Sequence, residues 1–154
     1  MRSVVVTDPP RADPEAAEQL GGFGTATVHE ALGRVGYLGP EFRPAWSGAR
    51  IGGTAVTVLC WPGDNLMIHV AVEQCRPGDV LVVATNSPST DGLFGELFAT
   101  ALAHRGVRGV VLGCGVRDVA EHDVPGMDGL ATEHDRHVHR AGRRLHRALR
   151  ADRC

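Results

Sequence analysis

Two short aliphatic runs, Val80–Ala84 (VLVVA) and Val107–Leu112 (VRGVVL), are separated by one helix-length stretch that opens and closes on glycine. A strand, a single helix and a second strand in that order predict a parallel pair joined by a crossover. Runs this apolar suit strands covered on both faces. In the connecting stretch Leu93, Leu97, Ala101 and His104 recur at helical spacing, as do Phe94, Phe98 and Leu102, giving a wide apolar face. Asp91 or the Gly92–Gly95 segment starts this helix, and Gly106 ends it as the residue just past the C-cap. The expectation is an α/β fold in which the Ser87–Gly95 and Gly113–Asp118 loops lie side by side at the carboxyl ends of the strands. Open α/β sheets bind ligands there.

The residues at that edge have a definite chemistry. The first turn of the helix offers the N–H groups of Gly95, Glu96, Leu97 and Phe98 to a carboxylate or phosphate. Glu96 and Asp118 are hard oxygen donors suited to Mg or Mn. Arg117 is a permanent cation whose planar fork matches a carboxylate or a developing oxyanion. A plainer account of the same residues is open: Glu96 complementing the helix dipole, and Arg117–Asp118 forming a surface ion pair.

At 154 residues the chain is most simply one domain with room for a proper core. A formal net charge of −2 predicts no general attraction to nucleic acid or membrane. All 16 basic residues are arginine. With no lysine, a Schiff-base aldolase is excluded, because that route needs a primary amine nucleophile; carbon–carbon cleavage would call for a metal. Cys60, Cys75, Cys114 and Cys154 contain no CxxC pair and read as buried free thiols in a reducing compartment. No His stands where it would activate Cys114 as a nucleophile. Val4–Thr7 is too short for a leader and is followed by Asp8-Pro9-Pro10. No apolar run is long enough to span a bilayer. The expected location is the cytoplasm.

Upstream, Val4–Thr7 reads as an edge strand or extended arm. Asp13 caps a helix with Pro14 at its first position, and Gly21-Gly22 stops it. A second helix runs from Thr25 or Thr27 to Gly33 with Val28, Ala31 and Leu32 inward and His29 on an exposed face. Arg50–Cys60 alternates as a strand, with Gly52-Gly53 marking a bulge or a close backbone approach. Asp64 or Asn65 caps a helix over Leu66–Gln74. Arg76–Asp79 is a tight turn. Thr85–Asp91 is a polar rim or lid over the site.

The pattern Gly92-x3-Glu96-x20-Arg117-Asp118 resembles the signature of the metal-dependent pyruvate aldolases of the RraA-like family. Flanking blocks agree: TATVHEALGR at Thr25–Arg34, GTAVTVL at Gly53–Leu59, PGDNLMIHVAVEQCRPGDVLVV at Pro62–Val83 and RGVRGVV at Arg105–Val111. The likeness is to aldolases acting on 4-carboxy-4-hydroxy-2-oxoadipate and 4-hydroxy-4-methyl-2-oxoglutarate. The resemblance implies a swivelling β/β/α domain with a mixed central sheet and flanking helices. It implies a class II lyase releasing pyruvate and a second 2-oxo acid, with oxaloacetate decarboxylation as a side activity and a place in the breakdown of aromatic compounds. It assigns Asp118 to the divalent metal, Mg or Mn. Glu96 would orient metal-bound water, Gly95–Phe98 would bind the pyruvyl carboxylate and Arg117 would steady the oxygen that gains charge. It further implies homotrimers with sites between subunits and a neighbour's C-terminal carboxylate assisting proton transfer. Asp64 and Asn65 would border that site. A regulator of RNase E acting by protein contact is the alternative, and an inactive truncated remnant a third.

The likeness fades near Ala120, which sets the expected boundary: a family domain over 1–120, lacking its last strands, and a divergent tail over 121–154. From Glu121 onward lie seven of the 16 arginines and five of the eight histidines. So abrupt a shift in a lysine-free sequence reads as truncation or a change of reading frame. Val138, Ala141, Leu145 and Leu149 share one helical face opposite arginines, as in a basic amphipathic helix. His134, His137 and His139 are a chance metal set, and a solvated tail is the plainer account.

Overall fold

The computed structural model describes residues 3–44 and 49–117, together with the strand at 129–132. Its centre is a five-stranded sheet in the order β1-β7-β5-β3-β2. These strands are β1 (Arg43–Pro44), β2 (Thr54–Cys60), β3 (Asp79–Thr85), β5 (Gly109–Gly113) and β7 (Gly129–Thr132). β2, β3, β5 and β7 run parallel, and β1 is antiparallel to β7. The expected parallel pair is therefore present, with Val80 opposite Gly109 and Ala84 opposite Gly113. The sheet does not stop at residue 120: β7 lies beyond that boundary and extends the sheet on the far side of β5.

Register explains where the core sits. Val56, Leu81 and Val110 align across three strands, as do Val58, Val83 and Leu112. All six are buried. On this face pack α3 (Leu66–Gln74), through Ile68, Ala71 and Val72, and α4 (Glu96–His104), through Phe98, Ala99 and Leu102. Asn65 holds the N-cap position of α3 without a side-chain bond, and the preceding Asp64 accepts from Leu66 N at 2.9 Å through Oδ1. α4 ends in a Schellman turn: Gly106 N–H donates to the Ala103 carbonyl and Val107 N–H to the Leu102 carbonyl, with Gly106 at φ +73°. Leu102 and Val107, which flank the reversal, are fully buried.

α4 starts from the expected Gly92–Gly95 segment, with Gly95 at its N-cap, but the residues before Gly95 are not part of the helix. Gly92–Phe94 is not helical; it forms β4, paired in parallel with β6 (Gly115–Val116) in a separate two-stranded sheet. Leu93 and Phe94 reach the core from that strand, so the apolar spacing that joined them to the helix was coincidental. Leu97 is 87% exposed and His104 is exposed, leaving a narrower apolar stripe of Phe98, Ala101 and Leu102. Asp91 does not cap the helix; its Oδ2 accepts from Ser89 Oγ at 2.8 Å, which pins the expected rim loop.

At the N-terminus, Ser3–Thr7 carries no strand. Asp13 caps α1 (Pro14–Gly22) as expected, accepting from Ala16 N at 2.9 Å; the helix takes in Gly21 and Gly22 and ends at Phe23. In α2 (Thr25–Ala31) no residue is buried. Val28 is half-buried and Ala31 and Leu32 are exposed, so this face does not enter the core. His29 is half-buried rather than exposed, its ring 6.0 Å from that of Tyr37. Gly52 and Gly53 do mark close approaches: a Cβ at Gly52 would strike the Gly21 backbone, and one at Gly53 the Gly78 carbonyl.

A clamp fastens the arm preceding α1 to the α3–β3 turn. Arg11 Nε lies 3.1 Å from Asp79 Oδ2, Arg11 NH2 donates to the Gln74 carbonyl at 2.6 Å, and Arg76 N–H donates to the same aspartate at 2.8 Å. Asp79 is buried. No helix among the described residues is long and apolar enough to cross a membrane.

Candidate functional site

The small β4–β6 sheet positions the site. Its strands are parallel, with Gly92 opposite Gly115 and Phe94 opposite Val116, so the residues that follow them emerge at one end. After β4 comes Gly95, extended at φ −157°, and then the first turn of α4. After β6 comes Arg117, whose N–H donates to the Phe94 carbonyl at 2.8 Å. The helix start and the arginine are thereby tied together through the backbone.

They share an open depression of about 800 Å3 between α3 and α4. Gly95, Glu96, Leu97, Phe98 and Arg117, the expected binding set, all line it. Phe98 N–H is engaged, donating to the Gly95 carbonyl at 3.1 Å. That leaves the N–H groups of Glu96 and Leu97 without acceptors inside the helix, as in the first turn of any α-helix. Positive potential from this turn and the Arg117 guanidinium act on one volume, which suits a small carboxylate.

Gly92 has a steric role. A Cβ built there would collide with Cγ of Arg117, so the arginine's stem lies across the glycine. This accounts for the first letter of the Gly92-x3-Glu96-x20-Arg117 pattern.

Asp118, the expected metal ligand, lies outside the described residues, as do His134, His137, His139 and Cys154. Among the described residues no group of three or more His, Cys, Asp or Glu side chains could hold a metal. The donors suit a hard divalent ion bound through few protein ligands: Glu96 lines the depression, and Asp118 follows Arg117 directly in sequence. Mg is characteristically bound by one or two carboxylates and keeps several waters.

The opposite wall comes from α3, with Asn65, His69 and Glu73 lining it at i, i+4 and i+8. His69 was not anticipated. The signal available was three polar residues at one-turn spacing in an otherwise apolar helix. The Asp64 carboxylate, by contrast, is occupied by the Leu66 N–H.

The buried thiols are as expected for three cysteines. Cys60, Cys75 and Cys114 are free and buried. Burial, reinforced by the nearby Asp79 charge, pushes Cys75 up to about 11. Burial, with Cys60 beside it, pushes Cys114 up to about 12. A thiol so disposed is not a nucleophile at neutral pH.

Comparison with known proteins gives the family. The RraA-like family, described as Aldolase/RraA, matches residues 25–143. A protein of Halalkalibacterium halodurans, provisionally named as a 4-hydroxy-4-methyl-2-oxoglutarate aldolase, is 26% identical over 109 residues, covering 71% of this chain and 52% of that one. A protein of Burkholderia multivorans with the same provisional name is 36% identical over 92 residues, covering 59% and 55%. The chain thus spans about half the length of these curated relatives. Among solved structures, the RNA-processing inhibitor RraA of Thermus thermophilis superimposes with a TM-score of 0.61 at 25% identity, covering 72% of this chain and 66% of that one. The match over residues 25–143, on a mixed α/β sheet carrying the Gly92–Arg117 arrangement, places this chain in the RraA-like family.

Proposed function

We propose that the protein is a metal-dependent lyase of the pyruvate-aldolase type, cleaving 4-hydroxy-4-substituted 2-oxo diacids to pyruvate and a second 2-oxo acid. The observation that carries this reading is the convergence of Arg117 and the first turn of α4 on one depression. The names of the curated relatives support it. In this reading the N–H groups of Glu96 and Leu97 receive the carboxylate next to the 2-oxo group. The Arg117 fork faces the oxygen that gains charge as the carbon–carbon bond breaks, where a fixed cation has its largest effect. Asp118 would hold a divalent ion and Glu96 would orient water beside it; such an ion would supply an electrophilic pull on the 2-oxo group. Oxaloacetate decarboxylation belongs to the same chemistry, since it too leaves the pyruvyl fragment with an extra electron pair.

Assembly into homotrimers is part of the proposal. Leu20, Phe23, Leu32 and Tyr37 are exposed on and after helices that have no buried residue, which supports burial against further copies. Free thiols support a cytoplasmic setting.

The test is pyruvate formation from either oxo diacid with Mg present, by wild type and Asp118→Ala. Loss of turnover on chelation and in the variant is expected; turnover indifferent to both would refute the assignment. The likeness to the RNA-processing inhibitor favours a second reading, regulation of an RNase by contact. Under that reading no oxo acid is turned over, and addition of the protein slows RNA cleavage.

A further inference from the structure

The proposed reading accounts for one wall of the depression. The other wall, on α3, presents Asn65, His69 and Glu73 one above another. These three differ in what they have left to offer. The Glu73 carboxylate is committed to Arg105 at 2.8 Å. The Asn65 side chain makes one long contact, from Nδ2 to the Leu93 carbonyl at 3.5 Å. The His69 ring nitrogens have no hydrogen-bond partner among the described residues, yet the ring is held: it packs on Phe98 with centroids 4.5 Å apart and planes at 58°. Phe98 is itself buried and belongs to the first turn of α4. His69 is an exposed residue whose ring rests on Phe98 while its nitrogens make no hydrogen bond among the described residues.

Size and charge point the same way. A depression of about 800 Å3 belongs with sites for ligands well beyond a three-carbon acid. Arg117 and the α4 turn serve one anionic end. A ligand with a second anionic end needs a donor on the α3 wall, where the Glu73 carboxylate is paired with Arg105.

We infer that His69, flanked by Asn65, is the specificity-determining residue that receives the far carboxylate of a dicarboxylate substrate. This rests on the reading of the depression as an oxo-acid site. His69 does not take part in bond cleavage; it distinguishes oxo diacids from oxo monoacids.

The experiment is isothermal titration of the full chain with pyruvate and with 2-oxoglutarate, both in the presence of Mg. His69→Ala is expected to weaken 2-oxoglutarate about tenfold, the scale of one lost hydrogen bond to a charged group. Pyruvate should change by less than about twofold, and His69→Gln, which keeps a donor, should recover part of the loss. Equal weakening of both acids would overturn the inference in favour of a packing role on Phe98, and unchanged affinity for both would overturn it outright. A wild-type protein that binds neither acid removes the site reading and this inference with it. One that binds pyruvate but shows no diacid effect in the variants removes the His69 assignment alone.

Discussion

The side chain of Arg117 lies across the Cα of Gly92, in the space that any larger residue at 92 would fill. Gly92 lies on β4 and Arg117 directly follows the partner strand β6, so the arginine's direction is set by what Gly92 lacks. Gly92→Ala should therefore displace Arg117 while leaving the fold intact. The expected outcome is a fall in pyruvate release on the order of 10²-fold, comparable to losing one fixed electrostatic contact, with a stability cost of about 1–3 kcal/mol for overpacking. Paired kinetic and urea-unfolding measurements check it; a variant with wild-type turnover would show that the arginine's path over Gly92 is immaterial.

Leu97 and Leu102 belong to one helix but meet different surroundings. Leu102 is fully buried, so Leu102→Ala should cost about 2–5 kcal/mol. Leu97 is 87% exposed, so Leu97→Ala should stay within about 0.5 kcal/mol. Chemical denaturation of both variants decides the point, and comparable losses would contradict the placement of α4.

Arg11 meets a buried carboxylate, the side chain of Asp79 being only 3% accessible. Arg11→Ala leaves that charge with the Arg76 N–H but no cation, and should destabilise the fold by about 3–5 kcal/mol. The double change Arg11→Leu with Asp79→Asn should cost less than Arg11→Ala alone, since no unpaired buried charge remains. A double-mutant cycle by thermal melting is the measurement; strictly additive losses would argue against the pair.

The buried thiols predict a pH effect with a definite sign. Burial raises Cys75 to about 11 and Cys114 to about 12 from an ordinary 9.0. The unfolded chain ionises first, so the contribution of these groups to stability is whole below pH 9. It is lost as pH rises from about 9 towards 12. The urea midpoint should fall between pH 8 and pH 10.5, and Cys114→Ala should flatten that slope relative to wild type. In the folded protein at pH 7.5 a thiol reagent should leave both cysteines unmodified.

The parallel pairing of the Val80–Ala84 and Val107–Leu112 runs was legible because both are rich in aliphatic residues and a glycine stop stands between them. So was the Gly106 reversal, where a positive φ favours glycine. The β4 strand was not. Leu93 and Phe94 fit a helical stripe as well as a strand, and what decides between them is Gly115–Val116, whose pairing a local period does not encode. The inward face assigned to α2 failed for a related reason: periodicity says which residues share a face, not whether anything lies opposite. Gly95–Phe98 and Arg117 were legible as a group because the strand–helix–strand order brings their two loops to one edge of the sheet. His69 was hidden in an apolar helix, and the Arg11–Asp79 clamp links parts of the chain too far apart for any spacing rule.

The hydrogen bond from Arg117 N–H to the Phe94 carbonyl has a mechanical corollary. Two halves of a grip, drawn from successive crossovers, are riveted by one main-chain link before any guest arrives. Closing them on a small acid then needs little rearrangement of the framework, so bound and empty forms should differ mainly in side-chain rotamers. A guest spanning both halves would act as a crossbar and slow amide exchange at Arg117 in particular.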